Sequence, residues 1–345
     1  MLHPVVNFFR RPEAKCDRME KGSEGLAEGI RLAGPRRRLA PGELVANRYL
    51  VLRTAGEGGG GVVYETEDML RGRKVALKTF SAVADSPRLA ARYEREIKLA
   101  QRLRHPNVCR IFDSGCHYAP SDMRPIPFLT MEFLEGETLR ERVRRQGRMT
   151  PQEALPLVTQ MAAALFAAHR AGVLHCDFKS ENVLLVPAKK GMRVVVTDFG
   201  LARDRTTEEV GSVLTASSRV LGTPIYMAPE QVEGKALTPA SDLYAFGVVL
   251  YEMVTGSWPF FEATPLATAV KRLHNPPPSP RQHVPDLDPL WEKVILRLLA
   301  VDPEKRFASA VQVMRALQPR WSWPQPAFSG RLTPQIAFAL PWRIK

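Results

Sequence analysis

Residues 49–80 read YLVLRTAGEGGGGVVYETEDMLRGRKVALKTF. Short β-branched and aromatic runs broken by glycine predict three successive antiparallel strands between about Arg48 and Phe80. Gly56, Gly58 and Gly61 form GxGxxG, continued by Val63. Such a turn lets backbone amides approach a phosphate with no Cβ in the way, but a glycine-rich hairpin without a ligand carries the same letters. Context narrows the choice. A dinucleotide-binding unit needs a helix after the glycines, whereas VVYETED reads as a strand, and no GK[ST] follows as a Walker A loop requires. On the third strand, alternation puts Ala76 and Lys78 on one face and Val75 and Leu77 on the other. A lysine projecting from the middle of a sheet beside a glycine turn calls for an anion.

Downstream, Ser86-Pro87 is a helix start, a capping residue followed by proline in the first turn. Leu89, Tyr93, Ala100 and Leu103 share one apolar face, and Glu96 falls on that face, while Glu94 points to solvent. An inward glutamate is costly unless a cation meets it, and Lys78 is a cation in need of a carboxylate. Two further strands are expected near 108–113 and 128–133, separated by the polar segment 114–127, which is longer than a tight hairpin requires. Past Gly136 the text turns helical, through TLRERVRRQ, PQEALPLVTQMAAALFAAHRAG, DLYAFGVVLYEMVTG and LWEKVILRLLAVD. The expected class is α+β, and no fixed-period repeat is present.

The whole chain of 345 residues, 45% of them hydrophobic, has material for about two domains or lobes. Residues 1–40 lack a sustained hydrophobic period and read as a flexible basic arm. No apolar run reaches the roughly 18–20 residues of a membrane span, and MLHPVVNFFRR is too short and proline-broken for a signal peptide. Cys16, Cys109, Cys116 and Cys176 show no CxxC pair or metal-ligand spacing, so free thiols in a cytoplasmic protein are expected. The 49 Lys+Arg against 36 Asp+Glu give a net charge of +13, which reads as a solvated basic surface with no nucleic-acid partner expected.

The later motifs carry a resemblance. His175-Cys176-Asp177-Phe178-Lys179-Ser180-Glu181-Asn182 stands where the eukaryotic-type protein kinases have HRDLKxxN, Asp198-Phe199-Gly200 stands as DFG, and Gly222-Thr223-Pro224 leads to Ala228-Pro229-Glu230 as APE. With the glycine turn, VALK, Glu96, Asp242 and Arg306, the order matches that family, and the chain looks most like the bacterial Ser/Thr kinases over 48–317. The resemblance implies two lobes, a small antiparallel β-sheet lobe with one key helix (48–134) and a larger, mainly helical one (135–317), followed by a tail at 318–345 that contains Trp321, Trp323 and Trp342.

It also implies roles. Asp177 would accept or orient the substrate hydroxyl proton, Lys179 would lie beside the transferred phosphoryl group, and Asn182 and Asp198 would offer oxygens to magnesium, with manganese an acceptable substitute. Lys78, held by Glu96, would hold the α- and β-phosphates of ATP under Gly56, Gly58 and Gly61. Val63, Ala76 and Leu184 would form the adenine slot, Met131 the gatekeeper, and Glu132 through Leu134 the hinge. Thr223, Glu230, Asp242 and Arg306 would be structural or regulatory, Glu230 and Arg306 as a buried ion pair and Asp242 as the anchor of the catalytic-loop backbone.

Cys176 departs from the family where many members have arginine, which weakens the need for a phosphorylated activation loop. Gly60 at the glycine-turn tip is a second departure. The implied activity is ATP- and magnesium-dependent phosphorylation of Ser/Thr hydroxyls in protein substrates, including autophosphorylation. A catalytically inactive scaffold that binds nucleotide and partners is the alternative, but no essential residue is missing. Phosphotransfer to a small molecule is disfavoured by the complete segment from Thr223 to Glu230. The oligomeric state and physiological substrate are not legible in the sequence.

Overall fold

A computed structural model describes residues 38–58, 61–80, 87–119, 122–199 and 224–318. The first lobe is a six-stranded antiparallel sheet, in the order β1-β2-β3-β4-β6-β5, with one helix. Its elements are β1 (Leu44–Val45), β2 (Tyr49–Gly58), β3 (Gly61–Asp68), β4 (Arg73–Thr79), α1 (Pro87–Ala100), β5 (Ile111–Ala119) and β6 (Asp122–Met131). Val75 and Leu77 of β4 pack in a core with Leu39, Val45, Tyr49, Val51, Tyr64 and Phe128. The register sets Val63 and Leu129 opposite Lys78, and Met131 opposite Ala76. Residues directly opposite share a face, so Val63, Ala76, Lys78 and Met131 look out together from the side away from that core.

Gly61 is fixed by packing as well as by conformation. Its φ is +138°, and a Cβ there would stand 1.8 Å from the Thr79 carbonyl oxygen of β4. A Cβ at Gly56, by contrast, would meet nothing within 4 Å, so no protein contact demands glycine at that position.

Two expectations are revised. The arm predicted over 1–40 gives up its last residues to the sheet: Leu39 is buried and its N–H donates to the Tyr64 hydroxyl at 3.1 Å. A single apolar residue in a polar stretch is a weak signal, and only the tertiary pocket reveals it. Residues 1–37, and all of the tail 318–345 except Gln318, lie outside the described residues. The segment 114–127 is mostly strand, because β5 and β6 continue past the sheet with Cys116 opposite Pro127 and Tyr118 opposite Pro125. The ladder between β6 and β4 spans only Phe128 to Met131, so Pro125 and Pro127 lie where the edge needs no donors from them. The Pro127 carbonyl still accepts from Phe80 N–H at 3.0 Å.

The second lobe holds β7 (Glu137–Thr138), α2 (Leu139–Gln146), α3 (Pro151–Arg170), β8 (Val183–Pro187), β9 (Met192–Val196), α4 (Pro229–Val232), α5 (Pro239–Thr255), α6 (Pro265–His274), α7 (Pro289–Leu298) and α8 (Ala310–Leu317). Capping boxes at Thr138/Glu141 and Thr150/Glu153 start α2 and α3, each satisfying otherwise orphaned N–H groups. Helix α5 is buried from Ser241 to Val254, among Met161 and Leu165 of α3 and Trp291, Ile295 and Leu298 of α7. An all-round apolar helix of this kind belongs at the centre of a lobe, and it makes a rigid base for whatever is attached to its first turn. Among the described residues, no helix is long and apolar enough to cross a membrane.

The antiparallel sheet β7-β8-β9 sets Val183 opposite Val196. Asn182 and Thr197 therefore flank the same pair, and Thr197 N–H donates to Asn182 O at 2.9 Å. The sheet thus delivers Asn182 and Asp198 side by side at one end.

Candidate active site

The backbone at His175 and Cys176 hangs from α5. Asp242, in the first turn of that helix, accepts from His175 N–H and Cys176 N–H, each at 2.8 Å, and from His169 Nε2 of α3 at 2.8 Å. Burial opposes the Asp242 charge, but these donors hold its carboxyl below the ordinary aspartate value. The anchor tolerates a left-handed Cys176, with φ +64°, and Gln231 Nε2 donates to the Cys176 carbonyl at 3.1 Å. His175 is fully buried, which lowers its pKa, and its ring lies 4.7 Å from that of Phe199 and 5.3 Å from that of Phe178. Asp177 N–H donates to His175 Nδ1 at 3.3 Å, which assigns the ring proton to Nε2.

From this base the polar side chains converge. Lys179 Nζ lies 2.6 Å from Asp177 Oδ2, and Asn182 Nδ2 donates to Asp177 O at 2.8 Å. Asp198 has φ +61°, and Lys78 Nζ lies 2.7 Å from its Oδ2, across from the β-sheet lobe to the helical lobe. Burial works against the Asp198 charge, yet the Lys78 ammonium overrides it and keeps the carboxyl below its usual value. Leu184 is half-buried on β8 while its neighbours Val183 and Leu185 are buried in the core. An apolar pocket behind Met131, lined also by Leu103, Cys109, Ile111, Leu129 and Phe199, reaches Asp198.

One pairing differs from expectation. The sequence assigns Glu96 to Lys78, but among the described residues the carboxylate within ion-pair distance of Lys78 is that of Asp198. Glu96 is half-buried on α1 and has a partner of its own. The left-handed turn at Asp198 presents its carboxylate to β4, and an ammonium takes the nearest carboxylate. Glu94, as expected, is solvent-exposed. Thr223, Gly60 and Gly200 lie outside the described residues. Glu230 and Arg306 meet in a two-pronged pair at 2.8 and 2.9 Å, both buried.

Sequence reading missed a second buried polar group, beside Ser180. The Tyr226 hydroxyl donates to Glu252 Oε2 at 2.6 Å, lies 2.8 Å from Ser180 Oγ and accepts from Trp258 Nε1 at 3.0 Å, while Arg140 pairs with Glu252 from α2. The available signal was Glu252 itself, a carboxylate in the otherwise apolar run of α5.

The protein kinase domain model matches residues 49–322. The chain belongs to the protein kinase family. Among curated kinases it is 36% identical over 281 residues to the serine/threonine-protein kinase pkn3 of Myxococcus xanthus, covering 80% of this chain and 50% of that one. It is 34% identical over 270 residues to the serine/threonine-protein kinase PrkC of Bacillus subtilis, covering 78% and 40% respectively. The chain thus spans half or less of the length of these curated relatives. The crystal structure of the PknI kinase domain of Mycobacterium tuberculosis superposes with a TM-score of 0.63 at 27% identity, covering 82% of this chain and 99% of that one. The two-lobed architecture is therefore that of a protein kinase, and ATP with a divalent metal is what the family uses.

The donor set suits that metal. Asp198 stays ionised, and Asn182, whose Nδ2 is committed to Asp177 O, keeps its Oδ1 as a second oxygen. Hard divalent cations of the magnesium type take carboxylate and amide oxygens of this kind, with phosphates and water completing the shell.

Proposed function

We propose that the chain is a Ser/Thr protein kinase, transferring the γ-phosphate of ATP to hydroxyls of protein substrates and to its own. The observation that carries this reading is the convergence of Lys78, Asp177, Lys179, Asn182 and Asp198 at the junction of the two lobes. Phosphoryl transfer asks for in-line positioning and charge neutralisation rather than covalent help, and these residues supply both. Lys78 holds the α- and β-phosphates, the turn of Gly56, Gly58 and Gly61 covers them, and Val63, Ala76, Met131 and Leu184 enclose the adenine against the backbone of Glu132 to Leu134. Asp177 orients the acceptor hydroxyl and takes its proton, while Lys179 steadies the transferred group. Asn182 and Asp198 would hold magnesium, or manganese in its place, which would supply neutralisation of phosphate charge. Glu96, half-buried on α1, would be a second carboxylate to support Lys78. Ser/Thr specificity rests on Lys179 two residues after Asp177 and on Thr223 before the APE segment. Reduced thiols at Cys109, Cys116 and Cys176 suit a cytoplasmic setting.

The test is purified protein with labelled ATP and magnesium, followed by mapping of the label. Label on Ser/Thr is expected, and Asp198→Asn or Lys78→Met should lower it at least about 100-fold, some 2.7 kcal/mol of transition-state stabilisation, with the fold intact by circular dichroism. A wild-type protein that binds ATP but transfers nothing would make the chain a scaffold, and near wild-type turnover in either variant would remove that residue from its role.

A further inference from the structure

The hinge between the lobes is held at one point by a side-chain pair that no sequence motif announces. Arg193 of β9 donates from Nη1 to Glu132 Oε1 at 2.8 Å and from Nη2 to Glu132 Oε2 at 3.3 Å, and its Nε donates to Pro106 O at 2.9 Å. One guanidinium thus joins three segments, the turn between α1 and β5, the first hinge residue, and the C-lobe sheet.

The surroundings give that junction its meaning. Asn107 Nδ2 reaches Val194 O at 2.7 Å, and Cys109 N–H and Val196 N–H exchange bonds with Val196 O and Asn107 O at 2.8 and 2.9 Å. The turn before β5 is therefore already sewn to β9, and Arg193 extends the seam to the hinge. Glu132 N–H donates to Arg110 O at 2.9 Å, and the far end of the hinge is fixed by Gly136, where a Cβ would stand 2.4 Å from Leu185 O, and by the pairing of β7 with β8. Among the described residues, Phe133, Leu134 and Glu135 take part in no hydrogen bond between these two fixed ends. The direction of the Glu132 carbonyl, which accepts only a long contact of 3.9 Å from Cys109 Sγ, then depends on how the Glu132 side chain is held.

We infer that Arg193 is a positioning residue for adenine recognition: by gripping the Glu132 carboxylate in a fork it orients the hinge peptide that receives the base. The inference rests on the kinase reading above, since it needs a nucleotide in the cleft. A planar guanidinium fixes a carboxylate in both position and plane, which a point charge on a lysine does not. A backbone acceptor ordered before binding spares the ligand the cost of ordering it, so the effect belongs to nucleotide affinity and not to the chemical step.

The test compares wild type, Arg193→Met, Arg193→Lys and Glu132→Gln/Arg193→Met in peptide phosphorylation, with adenosine and inorganic tripolyphosphate as separate competitors. Arg193→Met should raise the apparent KM for ATP about fivefold to tenfold while turnover at saturating ATP stays within about twofold. Adenosine should weaken by the same factor and tripolyphosphate should not, because only the base touches the hinge. Arg193→Lys should recover part of the loss, and the double variant should be no worse than Arg193→Met alone, because both changes remove one interaction. If Arg193→Met fails to fold, Arg193→Lys carries the same comparison of the two competitors. An unchanged KM with a lowered melting temperature would reduce Arg193 to a structural tie and overturn the inference, as would equal weakening of both competitors. A wild-type chain that binds no ATP would instead bring down the kinase reading, and this inference with it.

Discussion

Arg306 has no exposed side-chain surface, and all five of its N–H groups are used: two on Glu230, and one each on the carbonyls of Ala240, Ala300 and Val301, at 2.8 to 3.0 Å. Removing one partner strands a buried charge, so Arg306→Met should destabilise the chain by about 3–5 kcal/mol, read from the denaturant midpoint. Burial alone would raise the Glu230 carboxyl, but the guanidinium overrides it and holds the group below its ordinary value. The unfolded chain then binds the extra proton first, so this contribution is complete above the unfolded value of about 4.3 and is lost as pH falls through the lower folded value. Glu230→Gln should flatten the rise of stability with pH in that window. An acid transition of unchanged slope would show that other carboxylates govern it.

At the scale of elements, alternation along β4 fixed which face Lys78 takes, a capping residue before proline located the start of α1, and helical runs located α2 and α3 almost to the residue, because these signals are local. What escaped depended on partners far away in the chain. The continuation of β5 and β6 to Ala119 and from Asp122 was hidden by Pro125 and Pro127, which argue against a strand until the missing ladder on that side is seen. Glu96 was chosen for Lys78 by its helical phase, whereas Asp198, the carboxylate that meets Lys78 here, owes its place to a left-handed turn no periodicity reports. The polar cluster around Tyr226, and the grip of Arg193 on the hinge, join positions many residues apart with no motif between them. Leu39 is the same kind of case and gives a prediction. A chain lacking residues 1–37 should keep peptide turnover within about threefold, whereas one lacking 1–40 loses a buried leucine and should melt earlier, by the equivalent of about 2–5 kcal/mol of cavity cost. Equal melting temperatures for the two truncations would mean that Leu39 contributes nothing to the sheet core.

On the scale of the whole molecule, the question is what holds the two lobes and the segment between Asp198 and Glu230 in a working arrangement. In family members with arginine before the catalytic aspartate, a positive charge beside that residue awaits a phosphate on the activation loop. Here Cys176 stands in its place, buried and with its backbone fixed by Asp242 and Gln231, and it brings no cation. The cation that does lie beside Asp177 is Lys179, and its ammonium already faces the Asp177 carboxylate at 2.6 Å. Lys78 bridges to Asp198 across the lobes, and the far end of the loop is secured by Glu230 on Arg306 and by Arg272, which donates to Ile225 O at 2.6 Å. A phosphate on the loop therefore has no waiting charge among the described residues beside Asp177, and activity should not depend on one. Thr206, Thr207, Ser212, Thr215, Ser217 and Ser218, all outside the described residues, can be replaced together by alanine, with mass spectrometry to verify that the loop carries no phosphate. Peptide phosphorylation should then remain within about tenfold of wild type, less than 1.4 kcal/mol in barrier. A larger loss that phosphomimetic residues reverse would show that a basic residue such as Arg203 or Arg219 has assumed the missing arginine's task.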